Sequence, residues 1–298
     1  MKAAHKVGDF SSLGTYTLIA EITIPSKPKE KGTLAIYRDH EKQRIDINLG
    51  GYRETRLVLG NHEYVRPEHA LIDAAKLVNF DRSWDPTQRI DPERETRADS
   101  WSDPSQRTVF DKNAWCVERM ARYGQSTLCF DAQNSFLLER ADPKVALNFQ
   151  NYTEVVNEFV PAAASIKPEH VQEVDLSNIK ITPGDIPADA WIPARDAIQV
   201  ERCEIDFRPP HAKSTPPPDF PEAARRQNKG GLVVFFAVIT RDGKVVLPQA
   251  LGKDRYRLTD AARDTIKHWK FEPATCAGQP VNVSMELEVE FNLYQGRP

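Results

Sequence analysis

The stretch Gly231-Leu-Val-Val-Phe-Phe-Ala-Val-Ile-Thr240 decides the fold of the C-terminal part of the chain. From Leu232 onward, both sets of alternating positions are apolar, which predicts a strand with two apolar faces. A strand of this kind lies in the middle of a sheet and is covered on both sides. Asp242-Gly243 then predicts a hairpin turn, and Lys244 to Ala250 predicts a returning strand.

Two helices and a long last strand surround this hairpin in the sequence. A short helix is predicted over residues 220–226, where Pro221 has a φ angle suited to a first helical turn. A second helix is predicted by residues at helical spacing, namely Leu258, Ala261, Ala262, Thr265, Ile266 and Trp269. The last strand is predicted from Val281 to Leu293, because apolar and polar residues alternate there without a break.

Several short motifs accompany these elements: Phe220-Pro-Glu-Ala-Ala-Arg-Arg226, the strand that begins at Gly231, Asp242-Gly-Lys-Val245, Ala261-Ala262, Trp269-Lys-Phe-Glu-Pro273 and Gly278-Gln-Pro-Val281. In this order they resemble the C-terminal domain of TonB over about residues 219–294. The resemblance implies an αββαβ domain with a three-stranded sheet and helices on one face. It also implies binding of the TonB box, a short extended peptide of an outer-membrane transporter, as an extra strand beside the last strand.

The predicted partner-binding site is the free edge of this last strand. Unpaired N–H and C=O groups at such an edge supply affinity with little demand on sequence. The residues predicted for this site are Val281, Val283, Met285, Glu286, Leu287, Glu288 and Val289. Their apolar side chains are expected in the core, and the glutamates are expected on a solvated face that also opposes promiscuous edge pairing. The predicted partner is therefore a protein or an extended, TonB-box-like peptide bound through the backbone.

A proline-rich stretch separates this domain from the rest of the chain. Residues 209–218 contain five prolines, which favour extended geometry and cannot continue a helix or a central strand. The sequence therefore predicts one domain over residues 1–208, a linker over 209–218 and a TonB-like domain over 219–298.

The N-terminal region shows mainly a period of two, which is typical of antiparallel strands with one apolar face. Residues 15–65 predict an opening meander with short turns, and Pro67 to Val78 predicts a helix. Residues 81–113 are polar and lack a period, so they are predicted to be a long flexible loop. Further strands are predicted at 114–121, 126–132, 135–140, 144–148, 154–160, 171–181 and 198–207. The predicted fold class is α+β.

Three segments of this region resemble LolA/LolB-like lipoprotein carriers over about residues 15–207. They are the meander Thr15–Val65 with its helix, the stretch Val145–Pro161 and the tail Ile186–Pro193. The resemblance implies a curved antiparallel half-barrel that wraps a helix and holds a lipid acyl chain in an apolar concavity. The candidate lipid-facing residues are Ile22, Ile47, Leu57, Phe130 and Leu147. The alternative is that these residues form the core, because any sheet that wraps a helix has an apolar inner face.

Composition and charge argue against several classes of function. The formal net charge of −3, with 40 basic and 43 acidic residues, gives no electrostatic preference for nucleic acid or for an anionic membrane. The longest apolar run, Leu232 to Ile239, is too short to span a membrane. Met1 to Ser12 lacks the apolar segment of a signal peptide. The resemblances favour a periplasmic protein whose chain lacks its native signal or anchor.

No catalytic or metal-binding motif occurs in the sequence. The patterns GxSxG, HExxH, the P-loop and GxGxxG are absent, and neither His62-Glu63 nor Glu68-His69 predicts a ligand set. We therefore expect no enzyme activity, no cofactor and no metal site. Two functions are favoured, namely an envelope protein that binds a partner by strand addition and a carrier of lipid or lipoprotein. An unrecognised enzyme is the third alternative.

The chain has four cysteines, Cys116, Cys129, Cys203 and Cys276, and none forms a CxxC pair. Cys116 and Cys129 lie in two strands that can pair as a hairpin. Two half-buried thiols and a cross-strand disulfide are both compatible with this placement. The disulfide would fit an oxidising compartment.

Overall fold

The computed structural model describes residues 13–25, 30–40, 42–49, 52–69, 101–121, 124–142, 145–156, 158–168, 173–203, 206–251 and 256–292. These residues form two compact units. The first unit contains the described residues that fall within 1–40, 45–50 and 80–190. The second unit contains the described residues that fall within 41–44, 51–79 and 191–298.

Antiparallel strands dominate the chain before residue 202. They are β1 (Thr15–Ile24), β2 (Glu30–Asp39), β3 (Lys42–Leu49), β4 (Tyr52–Leu59), β5 (His62–His69), β6 (Ser105–Val109), β7 (Lys112–Ala121), β8 (Gly124–Asp131), β9 (Leu137–Asp142), β10 (Val145–Val155), β11 (Glu158–Pro168), β12 (Val174–Pro183) and β13 (Ile198–Glu201). In the first unit the strand order is β3-β2-β1-β12-β11-β10-β9-β8-β7-β6. In the second unit the order is β13-β5-β4, and a 3₁₀ turn at Ala188–Trp191 precedes β13.

The core of the first unit follows the period of two that the sequence shows. The buried residues of β1 are Tyr16, Leu18, Ala20, Ile22 and Ile24, and the residues between them are more exposed. β1 pairs with β2 on one side and with β12 on the other, and Leu34 and Ile36 of β2 are also buried. The described chain is mostly β with few helices. The predicted large antiparallel sheet and the presence of a C-terminal domain are therefore confirmed.

The loop predicted at 81–113 is wrong at its C-terminal end. β6 and the start of β7 lie there, joined by a turn at Phe110-Asp111. β6 is an edge strand whose residues from Ser105 to Thr108 are exposed, so neither of its faces is apolar. Arg107 of β6 forms an ion pair with Glu118 of β7. An edge strand of this kind shows no hydrophobic period, and residues 81–100 lie outside the described residues.

Two further predictions fail at element boundaries. A helix was predicted from Pro67 to Val78, but β5 continues to His69, so the first three of these residues lie in a strand. Residues 70–78 lie outside the described residues. The strand predicted at 154–160 spans a turn, because β10 ends before Val156 and β11 begins at Glu158. Val156 has a φ of 49°, which is rare for a β-branched residue. Nothing in the local sequence predicts a turn there.

The C-terminal part of the second unit combines two helices with short strands and one longer sheet. The helices are α1 (Glu222–Arg226) and α2 (Leu258–Ile266). The strands are β14 (Phe207–Arg208), β15 (His211–Ser214), β16 (Gly231–Ile239), β17 (Val245–Leu251), β18 (Lys270–Glu272), β19 (Ala274–Cys276), β20 (Gln279–Val281) and β21 (Val283–Phe291). The longer sheet has the order β17-β16-β21, so the strand with two apolar faces is the central one.

The proline-rich stretch runs along this C-terminal domain. β14 pairs with β19, and β15 pairs with β18. The indole N–H of Trp269 donates to the carbonyl of Pro216 at 3.1 Å. The compact units separate earlier, at Ala190 and Trp191. The domain limits predicted from the sequence, with a linker at 209–218, stay a prediction.

All four cysteines form disulfides. Cys116 and Cys129 lie directly opposite each other in β7 and β8, and both are buried. The cross-strand disulfide is therefore confirmed, and the alternative of two half-buried thiols is wrong. Cys203 and Cys276, which are 73 residues apart, are joined within the second unit. No pattern in the sequence predicts this second pair.

Candidate functional site

β21 forms one edge of the sheet β17-β16-β21. All nine of its residues pair with β16, from Val283 opposite Ile239 to Phe291 opposite Gly231. Within the part of the chain that the structure describes, no strand pairs with the outer side of β21. This outer side is the candidate site, and we call it the β21 edge.

The strand is shorter than the sequence predicted. Val281 lies in β20 and pairs with Ala274 of β19, so it is not part of the β21 edge. Asn282 separates the two strands, and Leu293 lies outside the described residues. In the sequence, apolar and polar residues alternate without a break from Val281 onward, so the pattern does not show where β20 ends and β21 begins.

The side chains of β21 divide into two sets. Val283, Leu287, Val289 and Phe291 are buried in the core beneath the helices, and Met285 is half-buried there. On the opposite face, the exposed side chains are Glu286, Glu288 and Glu290. The apolar residues predicted for the site therefore anchor the strand, and the exposed contacts belong to the backbone and to the glutamates.

The direction of the backbone groups follows from a hydrogen bond at the hairpin. The amide of Thr240 donates to the carbonyl of Lys244 on the β17 side at 2.9 Å. Because the two groups of each residue alternate in direction along a strand, those of Ile239 point to β21, and those of its partner Val283 point back to β16. Outward-pointing N–H and C=O groups therefore belong to the alternate residues Ser284, Glu286, Glu288 and Glu290.

Asn282 marks the beginning of the β21 edge. Its carbonyl accepts a hydrogen bond from the amide of Glu201 in β13 at 2.9 Å, as an outward-pointing group should. Its side-chain amide donates to the carbonyl of Gln199 at 2.7 Å, and its side-chain oxygen accepts from the amide of Arg241 at 2.7 Å. β13 therefore ends the free edge at this point. Sequence reasoning missed this residue, because a polar residue before an alternating strand is too common to stand out.

The face of the sheet opposite the helices is partly covered by β5 and β13. Val238 of β16 clusters with Val65 and Val200, and all three are buried. Arg56 of β4 lies 5.6 Å from the ring of Phe236 and donates to Glu54 at 2.6 Å, and both charged side chains are buried. This cover explains why β16 is apolar on both faces, as the sequence predicted. The cover does not reach the first residues of β16, because Leu232, opposite Glu290 of β21, remains 55 % exposed.

The hairpin between β16 and β17 has the predicted turn. Gly243 has a φ of +77°, and a Cβ atom there would lie 2.0 Å from the carbonyl oxygen of Phe271. The amide of Phe271 donates to the carbonyl of Gly243 at 2.9 Å, so the turn is tied to β18. Hydrogen bonds from Lys244 and Thr240 lower the pKa of Asp242 to about 2. The carboxyl group of Asp242 in this turn is therefore ionised at any pH well above about 2.

Titratable groups also lie close together elsewhere among the described residues. An open cleft of about 500 Å³ lies between α1 and α2, and Asp264 on its wall has a pKa lowered by a hydrogen bond from exposed Lys267. His62 contacts Glu201 at 2.9 Å on the surface. The described residues contain no group of three or more His, Cys, Asp or Glu residues that could hold a metal ion. The absence of enzyme activity stays a prediction.

The candidate lipid-facing residues are mostly buried. Ile22, Ile47, Leu57 and Leu147 have little exposed surface, whereas Phe130 is half-buried. Leu57 belongs to the second unit and the other four belong to the first. Phe130 lies directly opposite Trp115 in β7, which is 44 % exposed. Burial of this kind agrees with a core role for most of them, and a role in lipid binding stays a prediction.

The C-terminal domain is similar to a known protein family. Residues 216–293 match the family model of the Gram-negative bacterial TonB protein C-terminal. The match covers the strand β21, the edge described above and both helices, and it confirms the resemblance that the sequence motifs carry. We refer to residues 216–293 as the TonB-like domain. Among curated proteins, none matches the chain.

Two solved structures resemble a larger part of the chain. The LolA superfamily protein NE2245 from Nitrosomonas europaea is 13 % identical, with 64 % of this chain and 94 % of that chain covered and a TM-score of 0.38. A DUF1329 family protein from Desulfovibrio piger ATCC 29098 is 11 % identical, with 61 % and 91 % covered and a TM-score of 0.40. Within the described residues, no helix is long and apolar enough to cross a membrane.

Proposed function

We propose that this protein is a non-enzymatic protein of the Gram-negative cell envelope whose TonB-like domain binds a partner by strand addition. The observation that carries this proposal is the β21 edge, where outward N–H and C=O groups from Ser284 to Glu290 have no strand partner among the described residues. The expected partner is an extended segment of another protein, such as the TonB box of an outer-membrane transporter.

Strand addition suits this edge on physical grounds. An added strand gains main-chain hydrogen bonds that need no particular side chains on the acceptor. The receiving strand must itself be rigid, and β21 is rigid because its inward residues are buried and each of its residues pairs with β16. An edge of this length also risks aggregation. Its exposed glutamates reduce that risk without blocking the backbone.

The disulfides support a location outside the cytoplasm. All four cysteines are paired, and structural disulfides persist mainly in oxidising compartments such as the bacterial periplasm. A periplasmic location also gives the TonB-like domain access to periplasmic segments of outer-membrane proteins. We include this location in the proposal, with outer-membrane transport as its context.

The substitution Glu286→Pro tests the proposal. Proline removes the outward N–H of residue 286 and obstructs an incoming strand, but it breaks no bond to β16. Binding of a TonB-box-like peptide by the full chain, or homodimerisation through the edge, should be lost. Isothermal titration calorimetry and sedimentation velocity measure the two outcomes, and circular dichroism checks the fold.

Glu286→Ala is the matched control, because it removes the same side chain and keeps the N–H. The proposal requires that this variant still binds. If wild-type protein is monomeric and binds no extended peptide, or if the proline variant binds as well as wild type, strand addition at this edge is refuted.

A second candidate function is that of a lipid carrier. One observation favours it, because Trp115 and Phe130 share a face of the first unit's sheet with buried Leu128 and are themselves partly exposed. Apolar side chains at such a position could contact an acyl chain. Mass spectrometry of an organic extract of the purified protein tests this function, since a carrier retains stoichiometric lipid. Absence of lipid, together with loss of peptide binding in Glu286→Pro, would leave strand addition as the function.

A further inference from the structure

The segment of the β21 edge that can accept a strand is limited at one end. Asn282 is already bonded to β13, through the amide of Glu201 and the carbonyl of Gln199. The outward groups that remain are those from Ser284 to Glu290. An added strand therefore cannot extend past Asn282, and its register is restricted by β13.

The free segment is acidic on one face. Glu286, Glu288 and Glu290 are all exposed and lie two residues apart, so their side chains point to the same side of the sheet. Among the described residues, no lysine or arginine forms an ion pair with any of them. Their direct neighbours on β16 are Phe236, Val234 and Leu232, which carry no charge.

The neighbours of this acidic row on β16 are apolar, although Arg56 of β4 lies 5.6 Å from the ring of Phe236. Leu232 lies opposite Glu290 and is 55 % exposed, and Val234 and Phe236 are only half-buried. A side chain that combines an aliphatic stem with a positive head suits this surface, because the stem can cover the apolar residues while the head reaches a carboxylate. Lysine and arginine have this structure. On the other face, half-buried Met285 offers apolar contact to the alternate residues of an added strand.

We infer that the strand accepted at the β21 edge carries lysine or arginine at alternate positions, with apolar residues between them. This inference rests on the proposed function, because it specifies the partner of the same edge. Residues directly opposite each other on neighbouring strands interact most closely, so the basic residues face Glu286, Glu288 and Glu290. The apolar residues face the side of Met285.

Two peptides of about seven residues, close to the usual length of a strand, test this inference with the full chain. In one peptide lysine alternates with valine, and in the other glutamate alternates with valine. We expect the lysine peptide to bind at least about tenfold more tightly, because three exposed cross-strand pairs of ordinary strength combine. The preference should shrink as salt concentration rises. Fluorescence anisotropy of labelled peptides measures both.

The triple variant Glu286→Gln, Glu288→Gln, Glu290→Gln should lose this preference. The matched control is Glu154→Gln, Glu222→Gln, Glu272→Gln, which removes the same charge at exposed glutamates elsewhere and should keep it. If both peptides bind equally and Glu286→Pro abolishes both, the edge binds strands without charge selection, and only this inference is overturned. If neither peptide binds, the proposed function falls as well. Tight binding of the lysine peptide to Glu286→Pro would reveal attraction to the acidic surface alone and would also overturn the inference.

Discussion

Asn282 makes three hydrogen bonds, to Gln199, Glu201 and Arg241, and so joins β13 to the start of β21. Two of them use the side chain, at 2.7 Å each. We expect Asn282→Ala to lower the free energy of unfolding by about 1 kcal/mol, because it removes the part-buried bond to the Gln199 carbonyl, whereas water can replace the bond to the exposed Arg241 amide. Urea unfolding measures this change. Asn113→Ala, on the exposed surface of β7, should change it by less than about 0.5 kcal/mol.

Asp242 supplies a pH prediction at the same scale. Its pKa is lowered to about 2 by Lys244 and Thr240, whereas the unfolded chain has an ordinary aspartate pKa of about 3.9. A lowered pKa in the folded state stabilises the fold above the unfolded pKa, and this contribution is lost as the pH falls from about 4 to about 2. Carboxyl carbon chemical shifts should therefore titrate near pH 2. In Lys244→Met the pKa should rise, and an unchanged titration in that variant would contradict the assigned cause.

Residue roles were predictable from the sequence only where local pattern decides them. The alternation of β21 predicts which side chains are buried, and Met285, Leu287 and Val289 lie on the predicted face. The bonds of Asn282 depend on Glu201, which is distant in the sequence, and the disulfide of Cys203 also depends on a distant partner. Contacts of this kind leave no periodic signal.

The hairpin β16-β17 is the element whose sequence and structure agree most closely. Asp242-Gly243 predicts its turn, and the turn packs against β18 through Phe271. Gly243→Ala should lower the free energy of unfolding by at least about 2 kcal/mol, because it adds a Cβ clash with the Phe271 carbonyl to the strain of a positive φ. Gly278→Ala is the control, since Gly278 has the same φ of +77° but no atom within 4 Å of the added Cβ. Thermal denaturation compares them, and equal losses would refute the clash.

Elements without an apolar face were the ones that sequence patterns missed. β6 is exposed along most of its length, and β15 is exposed throughout although it pairs with β18. Both strands are held by backbone hydrogen bonds rather than by burial of side chains. Polarity therefore suggested a loop where the structure has β6, and no strand was predicted where it has β15.

At the scale of the whole molecule, the second unit contains strands from both halves of the sequence. Val65 and Val200 pack with Val238 of the TonB-like domain. The proline stretch suggested a division at 209–218, because composition changes there. Composition carries no information on which distant strands pack together, so the assignment of β4, β5 and β13 to the second unit could not be predicted.

Limited proteolysis tests the domain limits that the sequence predicts. Cleavage near Asp219 should yield a stable C-terminal fragment, because the proline-rich stretch is the exposed connection there. The disulfide between Cys203 and Cys276 crosses this site, so the fragments should stay together until they are reduced. Electrophoresis with and without reductant measures this. Fragments that separate without reductant would contradict the disulfide, and resistance to cleavage would contradict the predicted boundary.

The same disulfide determines how the chain responds to mechanical force. A partner that pulls on the TonB-like domain puts the polypeptide under tension. A domain that unfolds under tension normally lengthens the chain between its two ends. Between Cys203 and Cys276, however, the load passes through one covalent bridge, so roughly 250 Å of contour length in this 73-residue span is shielded from extension. In single-molecule pulling from both chain ends, reduction of the bridge should release this hidden length as an additional step. With the bridge oxidised, the part of the chain between Cys203 and Cys276 thus transmits tension through one short covalent link.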